Sequence, residues 1–495
     1  MSDRRPNILV ILSDQHSRNG LGCYGNGLVR TPNLDRLAAE GVRFDAAYCP
    51  APLCVPSRMA FMTSRTPTAN RAWNNQHILS SGIPTWAHAL GAAEYETALI
   101  GRMHFVGSDQ RHGFEKRPIG EYSARHPGAP ELGGPRWQAF PPITSGQRRP
   151  AVEIAGKGPT SYQWFDEQVA AAARDYFRRK AESDDDRPFA AVAGFVLPHC
   201  PFVAPGELFD YYYPRVDVPQ AEDRQPATVT RFRRVREILD PPLPEERIRV
   251  ARAAYFALCE HFDRQVGKVL EGLEQTGLAE RTIVIYTSDH GEMAGEHGCW
   301  WKSNYYEGSA GVPLIVRGPG VAGAGSVCPD ICSLTDLGTT MIDATGAPDL
   351  PGVCGRSLWP TLRGERPADW PDETFSELVD TRGASPNFPS RMVRSGRWKL
   401  WLYADDERLP PALFDLEADP DELNDLGEDP QYADVREGLL VRLRQGWDPD
   451  VVSAAALDLN ESHEVIAAWG KAIQPVHEDT LPVPPPSLEA DVELL

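Results

Sequence analysis

The stretch NILVILSDQ, residues 7–15, decides the fold class of this 495-residue chain. Its centre is an unbroken apolar run rich in β-branched residues, which is typical of a strand buried on both faces of a parallel sheet. Ser13, Asp14 and Gln15 follow, so polar groups stand at the carboxyl end of this strand. Open α/β sheets bind their ligands beyond that edge. The stretch therefore predicts an α/β fold and the edge at which its site lies.

Three further apolar runs also read as buried strands, and polar side chains follow each of them. Because the carboxyl ends of neighbouring parallel strands meet at one edge, we expect these polar groups to converge with Asp14. Long helical patterns separate the runs, as crossover connections require. The strand candidates are residues 98–100, 189–196 and 282–287, and the main helix candidates are residues 31–42, 162–181 and 245–276.

The pattern changes near residue 380, where short antiparallel strands replace the long apolar runs. We predict an α/β catalytic domain over residues 1–380, with a large mixed, mostly parallel sheet sandwiched by helices. A smaller α+β domain over residues 381–495 ends in an extended, proline-rich tail. The predicted segments are hairpin strands at 391–394, 398–402 and 412–416, a helix near 431–446, and surface excursions at 115–160 and 214–244.

Composition excludes several classes of protein. A net charge of −20 argues against nucleic acid as the main partner and requires any anion site to be locally basic. No run approaches the ~20 apolar residues of a membrane span, and the amino terminus has no signal-peptide core. The nine cysteines are odd in number and lack paired spacing, so we expect free thiols rather than a disulfide framework. These features predict a cytoplasmic protein without a membrane partner.

Two strand ends offer ligands for a metal ion. Asp14 and Gln15 follow the first strand, and Asp289 and His290 follow a later one. Carboxylate and amide oxygens suit a hard divalent cation such as Ca²⁺ or Mg²⁺. An aspartate after a strand is as often a helix cap or a turn former, so each pair by itself leaves the metal open.

Cys54, Pro56 and Arg58 form the run CVPSR, which precedes an apolar helical segment at residues 59–62. A helix amino terminus binds anions, and a guanidinium adds a fork of donors for sulfuryl or phosphoryl oxygens. The alternative is a buried structural thiol, because free cysteine is among the most buried residue types.

Four basic side chains complete the candidate site. Arg102 and His104 alternate, so both can face one side of an extended segment. His199 stands between prolines that hold its imidazole in a turn, and Lys302 follows the Asp289 strand end. Each residue alone would more often be structural or solvated. Their order along the chain is what indicates a site.

Together these motifs resemble the sulfatase family of the alkaline-phosphatase superfamily, from the first strand to about residue 425. Residues 101–115, GRMHFVGSDQRHGFE, and residues 288–313 are similar to the choline-sulfatase branch. The Asp14-Gln15 pair is similar to that branch and to phosphonate monoester hydrolases. The other matching landmarks are residues 7–14, 31–37 (TPNLDRL), the Cys54 run, 288–291 (SDHG), 414–416 (FDL) and 419–424 (DPDELN).

The resemblance implies a role for each candidate. Asp14, Gln15, Asp289 and His290 would ligate one divalent ion, Ca²⁺ first, with Mg²⁺ or Mn²⁺ as alternatives. A formylglycine-generating enzyme would oxidise Cys54 to an aldehyde, whose hydrate binds the same ion and attacks sulfur.

The basic residues would serve this nucleophile. Arg58 would steady the hydrate, and Arg102 and Lys302 would neutralise the ester oxygens. His199 or Lys302 would protonate the leaving alcohol, and His104 would take a proton from the second hydroxyl so that sulfate leaves.

Two positions depart from the family pattern. The family usually has lysine at Arg102, and many relatives have a second acid at Gln15. The predicted function is hydrolysis of sulfate monoesters. The alternatives are a phosphonate monoester or phosphodiester hydrolase with the same site, and an inactive binding protein on the same fold.

The alcohol part of the substrate stays open at this point, and so does a homo-oligomeric state. Choline would need an aromatic or acidic cage. Candidate aromatics, which core packing would explain equally well, are Trp73, Trp300, Trp301, Tyr305 and Tyr306.

Overall fold

The computed structural model describes residues 5–121, 126–127, 146–220, 222, 225–380, 388–404, 409–473 and 475. Within these residues the largest sheet has eight strands. The strand Leu314–Arg317 runs antiparallel to both of its neighbours, and all other neighbouring pairs are parallel. From edge to edge the strands are β11 (Ser326–Cys328), β2 (Val42–Phe44), the antiparallel β10 (Leu314–Arg317), β9 (Thr282–Ser288), β1 (Asn7–Asp14), β7 (Phe189–Pro198), β4 (Glu96–Gly101) and β5 (Lys116–Ile119). The predicted mixed, mostly parallel sheet is confirmed.

The opening stretch forms the centre of this sheet. β1 pairs in parallel with β7 on one side and β9 on the other, with Leu9 opposite Ala191 and Val284. All eight residues of β1 are buried, so both faces of the sheet are covered there. The four central strands β9, β1, β7 and β4 are mutually parallel, and their carboxyl ends therefore meet at one edge.

Within the described residues the α-helices are α1 (Pro32–Glu40), α2 (Cys54–Thr63), α3 (Pro67–Asn70), α4 (Trp86–Ala92), α5 (Pro150–Glu153), α6 (Ser161–Glu182), α7 (Gly206–Tyr212), α8 (Ala227–Val235), α9 (Glu245–Gln275), α10 (Glu307–Ala310), α11 (Thr335–Thr345), α12 (Trp359–Leu362), α13 (Ala433–Arg444) and α14 (Pro449–Ile473). The helices that the sequence predicts at residues 31–42, 162–181 and 245–276 are confirmed as α1, α6 and α9. α6 and α9 pack on each other and on β7, and α2, α4 and α11 form a second packed group.

A smaller antiparallel sheet contains the predicted hairpin strands. It consists of β13 (Glu373–Asp380), β14 (Phe388–Ser395), β15 (Trp398–Tyr403) and β16 (Ala412–Asp415), and α13 and α14 pack against β14. The sheet takes β13 from the amino-terminal side of residue 380, so its hydrogen bonds cross the predicted boundary. The division into residues 1–380 and 381–495 stays a prediction. Two short pairs complete the strands, β3 (Ala47–Tyr48) with β12 (Cys332–Ser333) and β6 (Gly156–Lys157) with β8 (Val203–Ala204).

The segments predicted as surface excursions contain regular structure. β5 forms the edge of the main sheet, where its exposed polar residues gave no strand signal. α8 buries Val229 and Phe232 in a stretch whose charge suggested a loop, and the long helix α14 was not predicted. Residues 128–145 of the first excursion and the proline-rich tail at 476–495 lie outside the described residues.

Two findings bear on the environment of the protein. All nine cysteines are free thiols. Within the described ranges, no helix is both long enough and apolar enough to cross a bilayer.

Candidate active site

Four neighbouring parallel strands deliver the candidate side chains to one edge of the sheet. Asp14 is the last residue of β1, and Asp289 directly follows β9. The backbone N–H of Asp289 donates to the Ser13 carbonyl at 3.4 Å, so the two strand ends lie side by side. His199 directly follows β7, and Arg102 directly follows β4. The predicted convergence is confirmed.

Asp14, Cys54, Asp289 and His290 form a compact buried cluster, in which one ligand atom from each lies within 4.8 Å of the others. The Cys54 Sγ is 3.2 Å from His290 Nε2 and 3.7 Å from Asp14 Oδ1. His290 Nδ1 lies 3.1 Å from the Gly291 carbonyl. A carbonyl only accepts, so Nδ1 carries the proton and the Nε2 lone pair faces the cluster. Two carboxylates and a free imidazole nitrogen fit a divalent cation.

Burial lowers the pKa of His290 to about 4 and keeps its ring neutral at neutral pH. A metal ligand needs this neutral form, because the lone pair must be unprotonated. The electrostatic environment of the cluster therefore agrees with its geometry.

Arg58 forms ion pairs with both carboxylates of the cluster, Asp14 and Asp289. Its side chain is fully buried, with Nε 2.7 Å from Asp289 Oδ2 and Nη2 3.2 Å from Asp14 Oδ2. Arg102 Nε is 2.8 Å from the same Asp14 oxygen. Burial alone would raise the pKa of Asp14, but the nearby cations, Arg102 first, hold it well below its ordinary value. Asp14 is therefore ionised even though no solvent reaches it.

Cys54 is the first residue of α2, so the CVPSR run forms the first turn of the helix. The sequence placed this run before the helix, and the structure corrects that boundary. Asn75 Oδ1 accepts from the Val55 N–H at 3.0 Å, which satisfies one donor at the helix start. Burial, and next the charge of Asp14, raise the pKa of Cys54 to about 12. The unmodified thiol is thus protonated at neutral pH and is a poor nucleophile.

Arg102 and His104 lie side by side, as their spacing predicts, with Arg102 Nη2 2.7 Å from His104 Nδ1. The segment is not extended, however, because His104 has a φ of 61°. The backbone at Arg102 passes close to β7 at Gly194, where a Cβ would stand 1.8 Å from the Arg102 carbonyl oxygen. Burial and the adjacent guanidinium lower the pKa of His104 well below its ordinary value, so the ring is neutral.

Glu121 organises this pair and was missed by the sequence reasoning. Its Oε1 lies 2.9 Å from Arg102 Nη1, and its Oε2 accepts from the backbone N–H groups of Met103 and His104 at 3.1 and 2.7 Å. The side chain is 1% exposed. Glu121 lies in a stretch that reads as a surface loop, and nothing in the sequence indicates its inward orientation.

Lys302, His199 and Gln15 form a chain of hydrogen bonds beside the cluster. Lys302 Nζ donates to His199 Nε2 at 2.8 Å and to Gln15 Oε1. His199 Nδ1 faces the Cys200 carbonyl, so the proton shared by the Lys302–His199 pair resides on the lysine. Burial opposes the charge of Lys302, but negative neighbours, including Asp14, raise its pKa above the ordinary value.

The aromatic candidates for a choline cage are core residues. Each is at most 1% exposed and packs within a hydrophobic core cluster. The structure thus supports core packing over a cage for the five residues Trp73, Trp300, Trp301, Tyr305 and Tyr306.

Comparison with known proteins places the chain in a family. The sequence profile of the sulfatase family matches residues 6–347, and the profile of the N-sulphoglucosamine sulphohydrolase carboxy-terminal region matches residues 295–447. A choline-sulfatase of Rhizobium meliloti (strain 1021) is 33% identical over 475 residues, covering 92% of this chain and 89% of the relative. An arylsulfatase K of Danio rerio is 30% identical over 484 residues, covering 93% and 87%.

A solved structure shares the fold over nearly the whole chain. The phosphonate monoester hydrolase of Agrobacterium radiobacter is 26% identical with a TM-score of 0.71, covering 89% of this chain and 96% of that chain. The profile match spans more than half of the sequence and includes all four residues of the buried cluster. The chain belongs to the sulfatase family of the alkaline-phosphatase superfamily and is a sulfatase-family hydrolase.

Proposed function

We propose that the protein hydrolyses sulfate monoesters with a formylglycine nucleophile made from Cys54. The observation that carries this proposal is the position of Cys54 Sγ, between Asp14 and His290 at the amino terminus of α2. A thiol with a pKa near 12 would be inert there, whereas an aldehyde hydrate would place an oxygen at the same point. The names of the two sulfatase relatives support sulfur as the centre under attack.

Asp14, Gln15, Asp289 and His290 would hold a divalent cation. The predominance of oxygen donors favours calcium, with magnesium and manganese as alternatives. When bound, the cation would supply positive charge that stabilises the nucleophile and the ester oxygens. Arg58 already balances the two carboxylates, so it would also keep them oriented as the substrate enters.

In the proposed reaction one hydroxyl of the hydrate loses its proton to solvent, the resulting oxyanion attacks sulfur, the S–O bond to the alcohol breaks, and the alcohol takes a proton. The proton on the Lys302–His199 pair resides on Lys302, which favours Lys302 as the acid. Arg102 and Lys302 carry positive charge toward the ester oxygens.

Sulfate then leaves from the covalent intermediate. His104 accepts the proton of the second hydroxyl, the C–O bond to sulfate breaks, and the aldehyde forms again. In the free enzyme Arg102 occupies the His104 Nδ1 lone pair. A shift of Arg102 toward the substrate anion would release that lone pair for the proton. Water then hydrates the aldehyde for the next cycle.

A phosphonate monoester is the second candidate substrate, because the phosphonate monoester hydrolase of Agrobacterium radiobacter shares 26% identity over 89% of this chain. Choline sulfate is a candidate from the choline-sulfatase relative. Maturation would require a formylglycine-generating enzyme. The nine free thiols support a reducing compartment, the cytoplasm, as the place of action.

Peptide mass spectrometry and a kinetic panel test the proposal. We expect the peptide that contains Cys54 to carry the aldehyde in active protein, and an aryl sulfate to be turned over faster than a phosphonate monoester or a phosphodiester. Cys54→Ala should abolish turnover, whereas Cys354→Ala, at an exposed thiol, should leave it unchanged. Full activity of Cys54→Ala, or of protein with an unmodified thiol, would contradict the nucleophile assignment.

A further inference from the structure

We propose that Glu292 is a positioning residue that fixes the amide of Gln15, so that its oxygen is turned toward Lys302 and is the atom available to the proposed cation. The inference rests on the proposed function in one respect, the role of Gln15 as a metal ligand. It concerns a residue that the motifs leave without a role.

Glu292 accepts three hydrogen bonds and is 1% exposed. Its Oε1 accepts from the backbone N–H groups of Ala294 and Trp301 at 2.8 and 2.6 Å. Its Oε2 accepts from Gln15 Nε2. The Oε1 atom thus holds together the loop that leads to Lys302, and the Oε2 atom binds the amide of Gln15.

The backbone of Gln15 is held on both sides, so only its amide can reorient. Its N–H donates to Asp289 Oδ1 at 3.1 Å, and its carbonyl accepts from the Tyr255 hydroxyl at 3.1 Å. Lys302 donates to Gln15 Oε1 from the side opposite Glu292. An amide between a lysine and a carboxylate has one orientation that satisfies both partners, with oxygen toward the lysine and nitrogen toward the carboxylate.

This arrangement determines which atom of the Gln15 amide is available to a cation. A carboxylate presents an oxygen whichever way it turns, whereas a glutamine presents an oxygen in only one of its two orientations. Glu292 supplies an acid one contact away from Gln15, and its two oxygens accept all three hydrogen bonds.

Glu292→Gln tests the inference because it can leave the loop unchanged. The new Oε1 keeps both backbone hydrogen bonds, and the new Nε2 meets the Gln15 nitrogen, donor against donor. A flip of Gln15 would turn its nitrogen toward the Lys302 ammonium, so neither orientation of the amide satisfies both neighbours and its oxygen loses its fixed position. We expect the dissociation constant for calcium alone, measured by titration calorimetry at pH 8 on unmodified protein, to rise at least tenfold.

Gln15→Glu combined with Glu292→Gln restores the pairing, because the acid at 15 accepts from both the new amide and Lys302. If the two substitutions acted independently, the change in the calcium dissociation constant of the double variant would be the product of the changes in the single variants. We expect the double variant to bind calcium at least tenfold more tightly than this product predicts. A dissociation constant within twofold of the product would overturn the inference. If Glu292→Gln fails to fold, recovery of the unfolding midpoint in the double variant supports the inference, and no recovery overturns it.

Calcium titration needs no substrate, so the two proposals can fail separately. If the unaltered protein binds calcium with the expected coupling but hydrolyses no sulfate ester, the proposed function fails and the role of Glu292 stands. If it hydrolyses sulfate esters and the calcium effects multiply independently, the role of Glu292 fails alone.

Discussion

Replacing Arg58 by methionine should destabilise the metal-free protein and strengthen its binding of calcium. The guanidinium is fully buried and lies within 3.2 Å of both Asp14 and Asp289. Removal of one partner from a buried ion pair costs about 3–5 kcal/mol, because the remaining charge has no water to stabilise it. Asp14 keeps Arg102 at 2.8 Å, so most of the cost falls on Asp289.

A divalent cation should compensate for part of this loss. Arg58 and the cation neutralise the same two carboxylates, so removal of the arginine leaves more negative charge for the cation. We expect calcium affinity to rise about tenfold, which corresponds to about 1.4 kcal/mol. Saturating calcium should therefore reduce the destabilisation of Arg58→Met by about that amount.

Urea unfolding followed by tryptophan fluorescence, with chelator and with saturating calcium, measures both quantities. Arg178→Met is the matched control, because Arg178 pairs with Asp175 and Glu182 on the surface and its side chain is 54% exposed. Such a pair contributes about 0–1 kcal/mol. A loss below about 1 kcal/mol for Arg58→Met in chelator, or a loss that calcium leaves unchanged, would refute the reasoning.

Two further predictions concern buried ionisable side chains, those of Lys399 and His16. Lys399→Met should lower the free energy of unfolding by about 3–5 kcal/mol, because the fully buried lysine contacts Glu307 and Glu422. A loss no larger than that of Arg178→Met would contradict this prediction. Burial lowers the pKa of His16 from 6.5 to about 4, so the unfolded chain binds more protons between these values, and stability should fall by about 3 kcal/mol as pH falls from 6.5 to 4. His16→Gln should remove about one proton from the pH dependence of unfolding in that window, and an unchanged slope would contradict it.

The main sheet could be predicted because its signals are local. An unbroken apolar run such as residues 8–12 excludes the alternation of a half-exposed strand. The edge strand β5 and the helix α8 were not predicted because they lack such a local signal. A partly exposed element in a polar stretch has no strong hydrophobic periodicity. The long helix α14 was not predicted either. Apolar residues such as Val465 and Trp469 are exposed on it, so its apolar residues do not all lie on one face.

The candidate site could be predicted as a set of residues but not as a set of contacts. Strand ends and the CVPSR motif indicated Asp14, Cys54 and Asp289, and the structure brings them together. The partners of these residues carry no motif. Glu121 and Glu292 are single acids outside the motifs, and only their buried hydrogen bonds identify them.

The α/β class, the family and the membership of Cys54 in the candidate site could all be inferred from the sequence. These follow from short-range patterns, because strand burial and the motif are each contained within about ten residues. The pairing of charged and polar groups in the candidate site follows only from the tertiary structure. It places Arg58 between Asp14 and Asp289, and Lys302 between His199 and Gln15. Such pairs are distant in sequence and meet only because four parallel strands end at one edge of the sheet. Electrostatic energies depend on those distances and on burial, and the order of residues along a chain specifies neither directly.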